Sequence, residues 1–336
     1  MAPTPELDRG GLFLEGEDAD RPVDLRQELE TDPEGTDLAE TLEAEIDRLR
    51  SQVTHDAERE ILGELERGVG SGRLALPPIP QVVLRVQQLI NSTSFHLGEL
   101  AAEIELDPAL ATKVVGIANS PFYAGLAPSI SVQDAVVRIG VIETRNILMA
   151  IMMRSRVLRV PGFESLTHDL WEHALATSVT ARALAAHVGI EPDRAFLAGL
   201  IHDVGRVVLL STAGEVQRRS RGQVRPDPLA LVGLMQELHP LLGAAVAESW
   251  HLAPELIRAI QCHHDPALAP DRDRCFAHVL EVGDELARQI IRDLESDPQA
   301  EEIAAARVAV FGLDAETARA ILHEAHEAFE ELRKIL

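Results

Sequence analysis

AFLAGLIHDVGRVVLL, Ala195 to Leu210, is apolar almost throughout, yet it carries His202, Asp203 and Arg206 in its middle. The segment lacks the alternation of a strand and reads as one buried helix. An ionised carboxylate inside such a helix costs several kcal/mol unless a charge or hydrogen bonds compensate it. Compensation for Asp203 must therefore come from Arg206, one turn on, or from imidazoles elsewhere: His173, His202, His239, His263 and His264. A divalent metal held by imidazole nitrogens and carboxylate oxygens would satisfy the acid and use the histidines together.

The rest of the chain agrees with a helical reading. At 336 residues and 46% hydrophobic it is long enough for a well-filled core. Only 3% of the residues are aromatic, and the abundance of Ala and Leu suits closely packed helices. "LALPPIPQVVLRVQQLINS" opens on prolines and continues into a helix. "LGELAAEIELDPALATKVVGIANS" supplies two helices broken at Asp107-Pro108, and Ser131 is a plausible N-cap for "VQDAVVRIGVIETRNILMAIMM". A second lobe starts after Pro161, where His173 falls on the apolar stripe of "LTHDLWEHALATSVTARALAAHV". The expected architecture is all-α and two-lobed. Residues 73–160 form the first helical lobe and 161–336 the second, with its C-terminal helices.

Charge is distributed unevenly. The 55 acidic residues exceed the 31 basic ones for a net charge of −24, which argues against a nucleic-acid or anionic-membrane binder relying on phosphate neutralisation. The first 70 residues alone hold 21 acids against 7 arginines. Residues 1–36 are rich in Pro, Gly and acids, and a disordered tail is expected there. Residues 37–72 read as an amphipathic helix and a flexible joint, "GVGSGR". The seam Leu42, Ile46, Leu49 and Val53 serves either to lay that helix on the main domain or to build a homodimer through residues 38–66. Two cysteines without C-x-x-C spacing, no signal peptide and no long uncharged apolar run point to a cytoplasmic protein without a membrane span.

A His on one helix, an adjacent His-Asp pair on the next and an Asp on a later helix make an order that resembles the HD superfamily of metal-dependent phosphohydrolases. His173, His202, Asp203 and Asp284 match it, and "GLIHDVGR" resembles its signature, with Arg206 where HD-GYP relatives usually have Lys. His239 in "HPLLG" and the pair His263-His264 resemble additional histidines of the HD-GYP branch. The E-x-x-D-G and G-Y-P extension of that branch is missing. "LPPIPQVVLRVQQLIN", "DPALATKVVGIANSPFY", "ISVQDAVVRIGVIETRNILMAI", "LWEHALATSVTARALAAHVG", "AFLAGLIHDVGRVVLL" and "HPLLGAAVAESWHLAPELIRAIQCHHDP" are similar, in order, to the HDOD domain, the HD-related output domain of bacterial signalling proteins.

That resemblance implies a regulatory domain that binds a signalling partner or ligand, in a family whose members commonly lack parts of the HD metal site. The alternative is a metal-dependent phosphohydrolase acting on a nucleotide or phosphoester. In that case His173, His202, Asp203 and Asp284, with His239, His263 and His264 as further candidates, would hold Mn or Fe. Arg206 would then be catalytic, stabilising charge on oxygen. Without metal, His202 and Asp203 would form a buried pair with Arg206 as counter-ion. Asp284 lies beside its helix's apolar stripe, so an exposed position is an alternative for it, and His239, before Pro240, is expected at a helix start. Arg218, Arg219, Arg221 and Arg225 would add phosphate contacts if they folded over the site, or pair with solvent and the acidic tail instead. The apolar run "NILMAIMM" is a candidate partner or dimer surface.

Overall fold

The computed structural model describes residues 38–92, 95–121, 123, 125, 127–292 and 299–336. The acidic tail expected over residues 1–36 lies outside them. The regular elements among the described residues are all helical. Two N-terminal helices, α1 (Leu38–Gln52) and α2 (Asp56–Gly70), form a hairpin. The first lobe follows as α3 (Gln81–Asn91), α4 (Leu97–Glu105), α5 (Pro108–Ala118), α6 (Val132–Ile139) and α7 (Val141–Met152). The second holds α8 (Glu164–Val188), α9 (Pro192–Ile201), α10 (Val204–Arg219), α11 (Pro228–Ser249), α12 (Pro254–Gln261), α13 (Asp271–Ile291), α14 (Ala300–Val308) and α15 (Ala315–Ile335).

Local chemistry sets the helix starts. Asp107 accepts from the Ala109 and Leu110 amides, and Asp227 from Ala230, each just before a proline that suits a first helical turn. Ser131 Oγ accepts from the Asp134 amide at 3.0 Å, as expected of a cap, although the helix it opens stops at Gly140 and a new one begins.

Helix α8 is the axis of the second lobe and packs on α9, α13 and α15. It also reaches the first lobe. Arg182 donates to Glu143 Oε1 (2.6 Å) on α7 and pairs with Asp193 (3.2 Å) at the start of α9. Tyr123 Oη donates to the same Glu143 oxygen at 2.5 Å, and Asn146 Nδ2 donates to the Asp193 carbonyl.

Three expectations are corrected here. The seam Leu42, Ile46 and Leu49 is buried within the chain, with α1 on α11 and α2 on α10, and Arg48 pairs with Glu237. It is spent and offers no apolar face to a homodimer through 38–66. Gly68–Gly70 ends a helix rather than forming a flexible joint, and Val69 is fully buried. "NILMAIMM", Asn146 to Met153, is interior along its whole length and is core rather than a docking surface. Two stretches, Pro192–Arg219 and Pro228–Ser249, are long and apolar enough to cross a membrane, but 83% and 56% of their apolar windows are buried inside the molecule.

Candidate metal centre

The opening stretch is two helices. Helix α9 ends at Ile201, His202 and Asp203 form the joint, and α10 begins at Val204. Both helices are buried, so the apolar pattern runs through the joint unbroken. The break turns both polar side chains toward one point, with the carboxylate at the electropositive N-terminus of α10.

The remaining candidates arrive from four other places: His173 on α8, His239 on α11, His263 and His264 just beyond α12, and Asp284 on α13. Close backbone contact makes this possible at two crossings. A Cβ at Gly283 would lie 3.0 Å from the Ala181 side chain, so α13 sits directly on α8, where Thr180 Oγ1 donates to the Gly283 carbonyl. At Gly205 a Cβ would come within 2.1 Å of the His239 carbonyl oxygen, so only glycine lets α10 meet α11 there.

Two clusters share Asp203. In the first, His173 Nε2 lies 2.5 Å from Asp284 Oδ1 and 3.8 Å from Asp203 Oδ2, while His202 Nε2 is 3.4 Å from Asp203 Oδ2 and 3.7 Å from Asp284 Oδ1. In the second, His239 Nε2 is 3.3 Å from Asp203 Oδ1, 3.2 Å from His263 Nε2 and 3.0 Å from His264 Nε2. Donor atoms lie within 4.8 Å of one another in each of three sets: His173, His202, Asp284; His202, Asp203, His263; and His239, His263, His264.

The histidines are oriented from behind. His202 Nδ1 donates to the Gly199 carbonyl at 2.7 Å and His263 Nδ1 to that of Ile260 at 2.6 Å. His239 Nδ1 donates to Met235 (2.6 Å) and to Gln236 (3.1 Å). Pro240 sits inside α11 and has no N–H for the Gln236 carbonyl, so the imidazole takes over that acceptor. Because a carbonyl only accepts, each Nδ1 carries the proton, and Nε2 presents a lone pair to the centre in the neutral ring.

Burial and charge set the protonation. Burial pushes His239 down to about 4 and, helped by the neighbouring imidazoles, pushes His263 well below the ordinary value. His264 is lowered too, chiefly by burial. Burial also opposes charge on His202, but Asp203 and Asp284 outweigh it and raise its pKa. The same field works in reverse on the acids. Against their own burial, Asp203 is held far below the carboxylate range by His202, Arg206, His239 and His173, and Asp284 by His173 and His202.

The donor set fits a divalent metal. His202 Nε2 and Asp203 Oδ2 are buried with no hydrogen-bond partner among the described residues. His239 Nε2 faces His263 Nε2 at 3.2 Å and His264 Nε2 at 3.0 Å, three imidazole nitrogens of the kind that a divalent metal takes as ligands.

Asp284 is buried, not exposed, and its Oδ2 accepts from Arg288 at 2.6 Å. Sequence reasoning missed Arg288; its signal was the spacing of four residues from Asp284 on one helix face. His239 lies deep inside α11 rather than at a helix start. Arg206 donates through Nε to Asp203 Oδ1 at 2.8 Å. Arg218, Arg219 and Arg221 do not fold over the centre. They lie at the far end of α10, about 24 Å along the helix from Asp203, where Arg218 pairs with Glu215, Arg219 with Glu64, and Arg221 is exposed.

Comparison with known proteins places this arrangement. The family model of the HDOD domain matches residues 76–266. An uncharacterised protein of Treponema pallidum is 27% identical over 250 residues, covering 72% of this chain and 47% of the relative, so the chain spans about half of that protein's length. Ribonuclease Y of Lawsonia intracellularis is 23% identical over 107 residues, 32% of this chain and 16% of the enzyme.

Among solved structures, a candidate metal-dependent phosphohydrolase from Shewanella amazonensis superposes with TM-score 0.61 at 21% identity, covering 81% of this chain and 99% of that one. A candidate signal transduction protein from Marinobacter aquaeolei gives 0.56 at 25% identity, covering 93% and 68%. An HDOD domain protein of unknown function from Geobacter sulfurreducens gives 0.56 at 23%, covering 87% and 98%. With the family model accounting for more than half of its length, and with the all-helical fold of these relatives, the chain belongs to the HDOD domain family.

Proposed function

We propose that the chain is a signalling output domain of HDOD type that holds a divalent transition metal, Mn or Fe, at His173, His202, Asp203 and Asp284. In this reading His239, His263 and His264 flank the ion, and the output depends on binding a phosphoester or nucleotide anion and a protein partner, without turnover. The observation that carries the reading is the convergence of these imidazole and carboxylate donors on one place, with His202 Nε2 and Asp203 Oδ2 buried and without a hydrogen-bond partner among the described residues. A bound ion would supply Lewis acidity toward an anionic oxygen. The chain's own part is to hold the donors from behind, through the Nδ1 hydrogen bonds, and to exclude water, since His202, His239 and His263 are fully buried.

Hydrolysis of a phosphoester through the same centre is the second reading, favoured by the completeness of the donor set. Against it stands the binding of Arg206 to Asp203, which makes that guanidinium a positioning group for a carboxylate before it can be a substrate contact. The deciding experiment is metal analysis of the purified full chain by mass spectrometry, with Asp203→Asn as control. Stoichiometric metal that is lost in the variant supports the reading. Absence of metal after incubation with Mn²⁺ or Fe²⁺ refutes it, and turnover in a screen of phosphoesters and cyclic nucleotides selects the hydrolase.

A further inference from the structure

We infer that the centre keeps one resident ion, and that a second ion enters the His239, His263, His264 side only together with a phosphate-type anion, because Arg206 already occupies the carboxylate oxygen that this side needs. The inference rests on the metal reading above and concerns how many ions the site takes and what controls the second.

The two clusters differ in carboxylate supply. The first has two acids, offering Asp284 Oδ1 and Asp203 Oδ2. The second has three imidazoles, and the carboxylate oxygen in contact with it is Asp203 Oδ1, 3.3 Å from His239 Nε2, with Asp284 acting on His264 from beyond ion-pair distance. That oxygen accepts from Arg206 Nε at 2.8 Å. A cation entering among the three imidazoles therefore meets a guanidinium on the carboxylate oxygen in contact with them.

Charge counting points the same way. The charged side chains touching the clusters are Asp203, Asp284, Arg206 and Arg288, and each arginine is bonded to one of the two acids. With neutral imidazoles the set carries no net charge. One dication leaves an excess of two positive charges and two dications an excess of four, in a place where Asp203 is almost wholly buried and desolvated charge is expensive. An oxyanion of about two negative charges, such as inorganic phosphate, brings the two-ion excess of four back to the excess of two that one ion already has, and gives Arg206 and Arg288 a new acceptor. Ion and anion then favour each other's binding by the same factor.

The test is equilibrium dialysis of the chelator-stripped full chain against Mn²⁺ at fixed free concentration, with and without inorganic phosphate, counting bound ions by mass spectrometry. The wild type is expected to hold one ion without phosphate and two with it. Arg206→Gln is expected to bind the second ion at least ten-fold more tightly without phosphate. Two ions in the wild type without phosphate, or one ion regardless of phosphate, overturns the inference while leaving the metal reading intact. An unchanged second-ion affinity in a folded Arg206→Gln also overturns it. Should that variant not fold, Arg206→Lys and the wild-type phosphate comparison still decide. A chain that takes up no ion removes the metal reading and this inference with it.

Discussion

Gly205 and His239 touch backbone to backbone: a Cβ at position 205 would stand 2.1 Å from the His239 carbonyl oxygen and 2.5 Å from the Gly243 nitrogen. No rotamer relieves such a contact, because both partners are main chain. Gly205→Ala must push α10 from α11 and is expected to cost at least ~3 kcal/mol, the upper range for forced overpacking. Separation of the helices also withdraws His239 from Asp203. Thermal unfolding with metal analysis checks both effects; a wild-type midpoint with full metal content would show that the crossing is more pliable than drawn.

His239 and Pro240 compensate each other inside α11. Replacing the imidazole in His239→Leu leaves the Met235 carbonyl its helical N–H partner but strands the Gln236 carbonyl, at a cost of about 1–3 kcal/mol for a buried polar group left unpaired. Adding Pro240→Ala supplies an N–H for Gln236 and is expected to recover ~1 kcal/mol. Denaturant titration of the two single variants and the double variant measures the coupling. Strict additivity would mean that the imidazole is not the proline's substitute donor.

The Glu143–Arg182 pair joins α7 of the first lobe to α8 of the second, with Tyr123 on the same carboxylate oxygen. Glu143→Ala leaves Arg182 and the Tyr123 hydroxyl without that acceptor. The expected loss is about 3 kcal/mol, the lower end for breaking a buried pair because Arg182 is partly solvated. Limited proteolysis should then cut between the lobes before either lobe unfolds; a single unchanged digestion pattern would count against this junction as the weak point.

Acid sensitivity of the metal-stripped chain follows from the histidines. Their unfolded pKa is about 6.5, whereas His239 titrates near 4 in the fold and His263 and His264 are also lowered. The unfolded chain binds protons that the folded one refuses, so this stability is full above about pH 6.5 and lost as pH falls toward 4. His202 works in the opposite sense, stabilising below pH 6.5 and losing its contribution as pH rises through its raised pKa. Three lowered groups outweigh one raised group. The unfolding midpoint should fall between about pH 7 and pH 5, and less steeply in His263→Asn. A flat profile would contradict the burial argument.

Much of this was legible from spacing and residue type. His173 on an apolar stripe, the Asp107-Pro108 break and the Ser131 cap each follow from a local rule that the fold obeys. The joint at His202-Asp203 was not legible, because burial on both sides keeps the apolar pattern continuous and periodicity cannot register a two-residue kink. Pro240 misled for a related reason. Proline marks helix starts when its missing N–H is the only consideration, and here the preceding imidazole supplies the donor. The seam of α1 satisfied two geometries equally, and only the position of α11 distinguishes them. Arg218 and Arg219 lie close to the centre in sequence, but a helix converts 15 or 16 residues into a long physical separation.

Helix α8 carries His173 and Arg182 nine residues apart on one rigid rod, a lever arm of about 13 Å. If the first lobe, gripping the rod at Arg182, tilted it by roughly 5°, the imidazole would swing by about 1 Å, several times the ~0.2 Å tolerance of a coordination bond. Under the metal reading proposed above, mechanical work at the junction between lobes and affinity at the centre would be exchangeable, with either end of the rod as the input.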